Sequence, residues 1–117
     1  MSHTATVEVQ IKDRVAFEKA CRRLKIDYSL SETVELFDGT KVTGMTARLK
    51  GWRYPAVFSE GKAHYDNYNG RWGEESELKK FRQVYAAEAA THKARQQGFR
   101  VSETKLKDGT IRLVCQR

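Results

Sequence analysis

The fold of this chain is decided by residues 76–117, which read SELKKFRQVYAAEAATHKARQQGFRVSETKLKDGTIRLVCQR. Apolar residues recur at helical spacing from Ser76 to Gln97, and Gly98 ends this segment because glycine readily adopts the left-handed conformation. Two alternating segments follow, joined by Asp108-Gly109, a pair typical of tight hairpin turns. The stretch therefore predicts a long amphipathic helix followed by a β-hairpin.

The preceding residues predict a strand, a short helix and four further strands. Alternation over residues 4–11 predicts a half-buried strand whose odd-numbered side chains point inward, and Asp13 is placed to cap the helix that follows. Asp38-Gly39 predicts a second hairpin turn. Gly44 marks a bulge or bend, because the apolar side changes parity across it, and Pro55 predicts an edge strand, because proline has no N–H to donate.

The resulting order of elements is β-α-β-β-β-β-α-β-β. Hairpin connections dominate and the sequence predicts two helices, so we expect one mostly antiparallel sheet with both helices packed on one face. The predicted fold class is α+β, a two-layer sandwich. With 117 residues, 39% of them hydrophobic, residues 1–117 are expected to form a single domain.

Composition argues against several classes of protein. No apolar run approaches the ~20 residues of a membrane helix, and the polar N-terminal residues lack a secretion-signal pattern, so a soluble cytoplasmic protein is expected. Cys21 and Cys115 have no paired spacing and are interpreted as two buried thiols. His3, His64 and His92 are isolated from other ligands, and we predict no metal and no cofactor.

The net charge of +7 lies in the later part of the chain. Residues 41–73 have six Lys or Arg against two Asp or Glu, and residues 74–117 have ten against six. If Tyr54, Phe58, Tyr65, Phe99 and Ile111 face the helices, strand parity places several cationic side chains on the opposite face of the sheet. These side chains are Arg48, Arg53, Lys62, His64, Arg100 and Arg112.

A binding surface is predicted from this basic face and from the loop at residues 67–73, where Tyr68, Arg71 and Trp72 lie. One hypothesis is docking to an acidic protein partner; the alternative is weak nucleic-acid binding through phosphate contacts. Most strand aromatics share parity with the core, which argues against a platform for base stacking. A basic face that is only solvated also remains open.

Catalytic patterns are weak in this sequence. Gly70-Arg71-Trp72-Gly73 precedes a helix but lacks the lysine and hydroxyl of a P-loop, and Glu74 and Glu75 would repel a phosphate. His64 and Asp66 share a strand face and could act as a general base and its orienting group. Nothing else that an active site needs converges on them in the sequence, so we predict a noncatalytic protein with no catalytic residues.

Several short segments together resemble one family along nearly the whole chain. They are Met1-Ser2-His3, Ile11-Lys12-Asp13, Trp72-Gly73, Tyr85-Ala86, Gln97-Gly98-Phe99 and Asp108-Gly109-Thr110-Ile111-Arg112-Leu113. They resemble the hypothetical chloroplast reading-frame family numbered thirty-five, a group of small uncharacterised proteins of algal plastids, cyanobacteria and other bacteria. The chain departs from that pattern in two places: the central loop lacks an acidic residue and a second Trp, and Glu88 stands where a His is often seen.

The resemblance implies a role rather than a reaction. The family has no established activity, so no catalytic residues can be transferred to this chain. Its members are often encoded near an AAA-type ATPase, which implies an accessory role in a larger assembly, in the cytoplasm or, for plastid relatives, in the stroma. The sequence thus favours a small accessory or interaction domain that docks to a protein partner.

Overall fold

The computed structural model describes residues 4–8 and 10–117, and it describes side chains from residue 10 onward except at position 69. Within these residues the elements follow the predicted order. The strands are β1 (Thr4–Glu8), β2 (Tyr28–Glu35), β3 (Lys41–Ala47), β4 (Ala56–Ser59), β5 (Lys62–Asp66), β6 (Arg100–Lys105) and β7 (Ile111–Gln116); the helices are α1 (Arg14–Leu24) and α2 (Glu75–Gln96). Val9 and the predicted inward side chains of β1 lie outside the described part.

The α+β class is confirmed, but the strands form two sheets rather than one. β1 to β5 make an antiparallel sheet in the order β1-β5-β4-β3-β2, and β6 pairs with β7 in a separate hairpin. The 22 residues of α2 span roughly 33 Å at 1.5 Å per residue, longer than any strand of the large sheet. The β6–β7 hairpin that follows the helix packs on α2 and is not paired with the large sheet.

Both helices pack on the same face of the large sheet, as predicted. Phe17 of α1 lies 5.6 Å, between ring centroids, from both Phe58 of β4 and Phe81 of α2. Phe58 and Phe81 are 5.4 Å apart, and all three rings are buried. This aromatic triangle joins the two helices and the sheet into one core.

The helix boundaries follow local chemistry. Asp13 caps α1 as predicted, because its Oδ1 accepts hydrogen bonds from the N–H groups of Val15 and Ala16 at 3.0 and 3.1 Å. Gly98 follows α2 with a φ of +88°, the left-handed conformation expected there. Both ends of the C-terminal helix thus lie within a residue of the predicted positions.

Two details of the large sheet differ from the sequence prediction. Pro55 was expected on an edge strand, but β4 is paired on both sides; its pairing begins at Ala56, so the missing N–H of Pro55 breaks no ladder bond. The extra residue of the register shift lies in β2, between Ser29 and Glu32, and Gly44 of β3 pairs with Glu32 beside it. Gly44 serves instead for close approach, because a Cβ there would collide with the carbonyl oxygen of Phe58.

Candidate binding surface

The sheet face opposite the helices is partly covered, which overturns the prediction of a bare basic face. Val57 of β4 is fully buried on this side, and it forms a second apolar cluster with Val34 and Leu36. Thr46 and Asp66, on the same face by strand alternation, are 1% and 0% exposed. The prediction failed because strand parity tells which face of the sheet a side chain points to, but not whether other parts of the chain cover that face.

The predicted cationic residues do not converge on one surface. Arg48 follows β3 and lies 3.3 Å from a carboxylate oxygen of Glu32. Lys62 and His64 are on β5, one exposed and the other half-buried. Arg100 and Arg112 belong to the separate hairpin, where they lie on the same face of its two-stranded ladder, so they are not part of the large sheet.

The predicted loop residues do meet, in an aromatic cluster around Trp72. The centroid of this ring lies 4.7 Å from Tyr68 in a stacked arrangement, and 5.1 and 5.5 Å from Phe37 and Tyr54 in edge-to-face arrangements. Phe37 is 52% exposed, and the other three rings are half-buried. Phe37 directly follows Leu36, which belongs to the second apolar cluster, so its contact with Trp72 links the loop to the end of β2.

Two arginines lie over these rings. The guanidinium carbon of Arg53 is 5.2 Å from the Trp72 centroid and 5.8 Å from that of Tyr54, and that of Arg71 is 5.1 Å from Tyr68. These distances are within the range of cation–π attraction. We call the six side chains the aromatic–arginine patch: Phe37, Arg53, Tyr54, Tyr68, Arg71 and Trp72.

Sequence reasoning missed two members of this patch. Tyr54 was assigned to the helix-facing side by alternation with Phe58, but the strand begins only at Ala56, so alternation does not extend back to Tyr54. Phe37 is next to the Asp38-Gly39 turn, and nothing local connects it with residue 72. An exposed aromatic residue beside a hairpin turn was the available signal.

Backbone hydrogen bonds fix the loop in place. The N–H of Trp72 donates to the carbonyl oxygen of Asn67 at 2.9 Å, and the N–H of Arg53 donates to the carbonyl oxygen of Trp72 at 2.8 Å. The indole Nε1 of Trp52 donates to the Glu74 carbonyl oxygen at 3.0 Å. The patch is therefore presented by a braced loop at the start of α2.

Asp66 lies beneath the start of this loop. Its Oδ1 accepts the N–H of Tyr68 at 3.2 Å, whereas Oδ2 is buried and has no hydrogen-bond partner in the described part of the chain. Tyr68 has a φ of +48°, which is uncommon for a residue with a side chain. His64 lies on the same side of β5 as Asp66, as alternation predicted.

The two cysteine thiols differ in solvent exposure, contrary to the prediction that both are buried. Cys21 is buried in the core, and burial, reinforced by the charge of Glu18, raises the pKa of its thiol to about 12. Cys115 is exposed on β7. His92 of α2 has its Nδ1 3.1 Å from Oδ2 of Asp13.

The described residues contain no group of three or more His, Cys, Asp or Glu side chains arranged to hold a metal ion. None of the helices described is both long enough and apolar enough to cross a bilayer.

The fold and the patch define a small α+β protein with a surface aromatic–arginine cluster. A family model described as a protein of unknown function (DUF1257) matches residues 20–114, which is most of the chain. The chain therefore belongs to the DUF1257 family. Neither the comparison with curated proteins nor that with solved structures found a match.

Proposed function

We propose that this protein is a noncatalytic docking domain that binds a protein partner through the aromatic–arginine patch. The observation that carries the proposal is the position of Trp72, whose ring contacts three other aromatic rings and the guanidinium of Arg53 at the surface. Trp, Tyr and Arg are the residues most enriched among those that dominate the energy of protein interfaces. A braced loop also lowers the entropy that binding would cost.

The patch replaces the broader surface expected from the sequence. Arg53, Tyr68, Arg71 and Trp72 remain in it, whereas Arg100 and Arg112 are on another sheet. The resemblance to the chloroplast reading-frame family supports an accessory role, and an AAA-type ATPase assembly is the partner that it suggests. The noncatalytic role stays part of the proposal.

The test compares matched charge reversals on the two sheets. We expect the tagged protein, purified from its native host, to retain its partner when Arg100→Glu and Arg112→Glu are combined. The combination of Arg53→Glu and Arg71→Glu should release that partner, as should Trp72→Ala. If all three variants retain the partner equally while remaining folded, the patch is not the docking site.

Weak nucleic-acid binding is the second candidate, because the patch combines rings with guanidinium groups. The rings are already occupied, however: Tyr68 is contacted by both Trp72 and the guanidinium of Arg71, which leaves little ring face for a base. Fluorescence anisotropy with short single-stranded oligonucleotides decides between the two functions. Binding that falls steeply as salt rises, and that depends on Arg53 and Arg71, would favour nucleic acid.

A further inference from the structure

A surface groove lies away from the aromatic–arginine patch, along one side of α2. Its volume is about 590 Å³, which is within the usual range for ligand sites. The groove is lined by two residues before α1 and by six residues of α2: Gln10, Ile11, Lys79, Arg82, Gln83, Tyr85, Ala86 and Ala89. It is an open groove rather than an enclosed cavity.

The floor of the groove is apolar. Ile11 and Tyr85 are 5% and 6% exposed, and the small side chains of Ala86 and Ala89 leave the space above them open. The Tyr85 hydroxyl oxygen accepts the N–H groups of Lys12 and Asp13 at 3.1 and 2.9 Å. Because these bonds hold the Tyr85 hydroxyl at the start of α1, it is the aromatic ring of Tyr85 that lines the groove.

The rim is cationic. Lys79 and Arg82 are exposed on successive turns of α2, and neither forms an ion pair with a carboxylate of the described residues. Gln10 and Gln83 add neutral amides, and the described lining includes no acidic side chain. Glu75 belongs to the adjoining smaller cavity, which shares Lys79 and Arg82 with the groove.

An apolar floor with two exposed cations at its edge is complementary to an apolar side chain flanked by carboxylates. We propose that this groove binds an acidic segment of a protein partner, which places an apolar residue over Ala86 and its carboxylates against Lys79 and Arg82. Such a segment resembles the peptide ligands that dock an apolar face into a groove. This site is independent of the aromatic–arginine patch.

The probe is a fluorescein-labelled synthetic peptide that has Leu at helical spacing and Glu between the Leu positions, measured by anisotropy against the full chain. We expect saturable binding of this peptide and none of a matched peptide with Lys in place of Glu. Ala86→Leu, which fills the groove, and the combined Lys79→Glu and Arg82→Glu variant should each weaken binding about tenfold.

Two control variants separate the groove from general effects. Ala90→Leu places the same side chain one turn further along α2, at an exposed position that does not line the groove, and Arg100→Glu with Arg112→Glu makes the same charge change on the hairpin. Both should bind as the wild type does, with circular dichroism confirming the fold of every variant. The proposal fails if the acidic peptide does not bind, if controls and groove variants weaken equally, or if an oligonucleotide or a second copy of the chain occupies the groove instead.

Discussion

Arg53 is joined to Trp72 twice: its backbone N–H donates to the Trp72 carbonyl oxygen at 2.8 Å, and its guanidinium carbon lies 5.2 Å from the Trp72 ring. The segment before β4 and the loop before α2 are thereby held together by both backbone and side chain. A surface loop with two attachments keeps its aromatic residues in one arrangement. Arg53 and Trp72 are therefore the residues whose substitution best tests the patch.

Replacing Trp72 by Ala should lower the free energy of unfolding by about 1–3 kcal/mol, because three ring contacts and a cation–π contact are lost at once. Trp72→Phe should keep most of this stability, since it retains a ring. Urea denaturation followed by circular dichroism measures both variants. Equal stabilities for the Ala variant and the wild type would show that the ring cluster contributes nothing to the fold.

Asp13 joins the start of α1 to α2 and should make stability depend on pH. Burial raises its pKa, but the hydrogen bonds from His92 and the N–H groups of Ala16 and Val15 outweigh burial, and the net pKa lies below the usual 3.8. A lowered pKa means that the stabilisation is complete above pH 3.8 and is lost as the pH falls through the native value.

Asp13→Ala should accordingly cost about 1–2 kcal/mol at neutral pH, as expected for a lost helix cap. Asp13→Asn, which still caps, should cost less. The difference between wild type and either variant is measured by denaturant titration over a series of pH values, and it should shrink in strong acid. A difference that is independent of pH would contradict the assigned role of the carboxylate.

The β6–β7 hairpin is attached to α1 by the ion pair of Arg23 with Glu103, and Arg23 also reaches Glu88 at 3.4 Å. The hydrogen bond from Arg23 lowers the pKa of Glu103. Burial raises this pKa, but the positive charge of Arg23 lowers it further, so the net pKa lies below its usual value. Arg23→Ala should cost no more than about 1 kcal/mol overall, because the pair is partly exposed.

The clearer effect of Arg23→Ala should be confined to the β6–β7 hairpin. Amide hydrogen exchange in β6 and β7 should become faster in Arg23→Ala, while exchange in β3, β4 and β5 stays unchanged. Because the Glu103 pKa is lowered, acidification through its native pKa should loosen the wild-type hairpin in the same way. Equal acceleration in both sheets would mean that Arg23 stabilises the whole fold rather than the hairpin.

The two cysteines should react with thiol reagents at very different rates. Cys115 is exposed, whereas Cys21 is buried and its pKa is raised to about 12 by burial and by Glu18. At neutral pH a disulfide reagent should therefore modify one thiol per chain rapidly, and the second only after denaturation. Cys115→Ser should remove the fast phase, and a fast phase that persists in this variant would place Cys21 at the surface.

Local chemistry made much of the fold predictable from sequence. Asp38-Gly39 and Asp108-Gly109 form the predicted turns, and in each the Asp Oδ1 accepts the N–H of the following Thr at 2.9 Å. Such bonds join residues that are two positions apart, so a short sequence motif is enough to predict them. The cap at Asp13 and the stop at Gly98 are predictable for the same reason.

The candidate site depended on contacts between distant residues, and it was predicted only in part. Tyr68 and Trp72 lie in the same short loop, and both were expected in the binding surface. Phe37 and Tyr54 reach Trp72 across the fold, and Val57 is buried on a face that parity alone left open. Strand alternation predicts the two faces of a sheet, but only the tertiary arrangement shows how far each face is covered.

The strand order of the large sheet also implies a sequence of events in folding. β2 to β5 form a meander in which each strand pairs with its neighbour in the chain, whereas β1 must find β5 across more than fifty residues. Because short loops close at a smaller entropic cost than long ones, we expect the meander and its helices to assemble before β1 docks. Pulse-labelled hydrogen exchange during refolding would show this as late protection of residues 4–8; protection of β1 together with β3 would exclude that order.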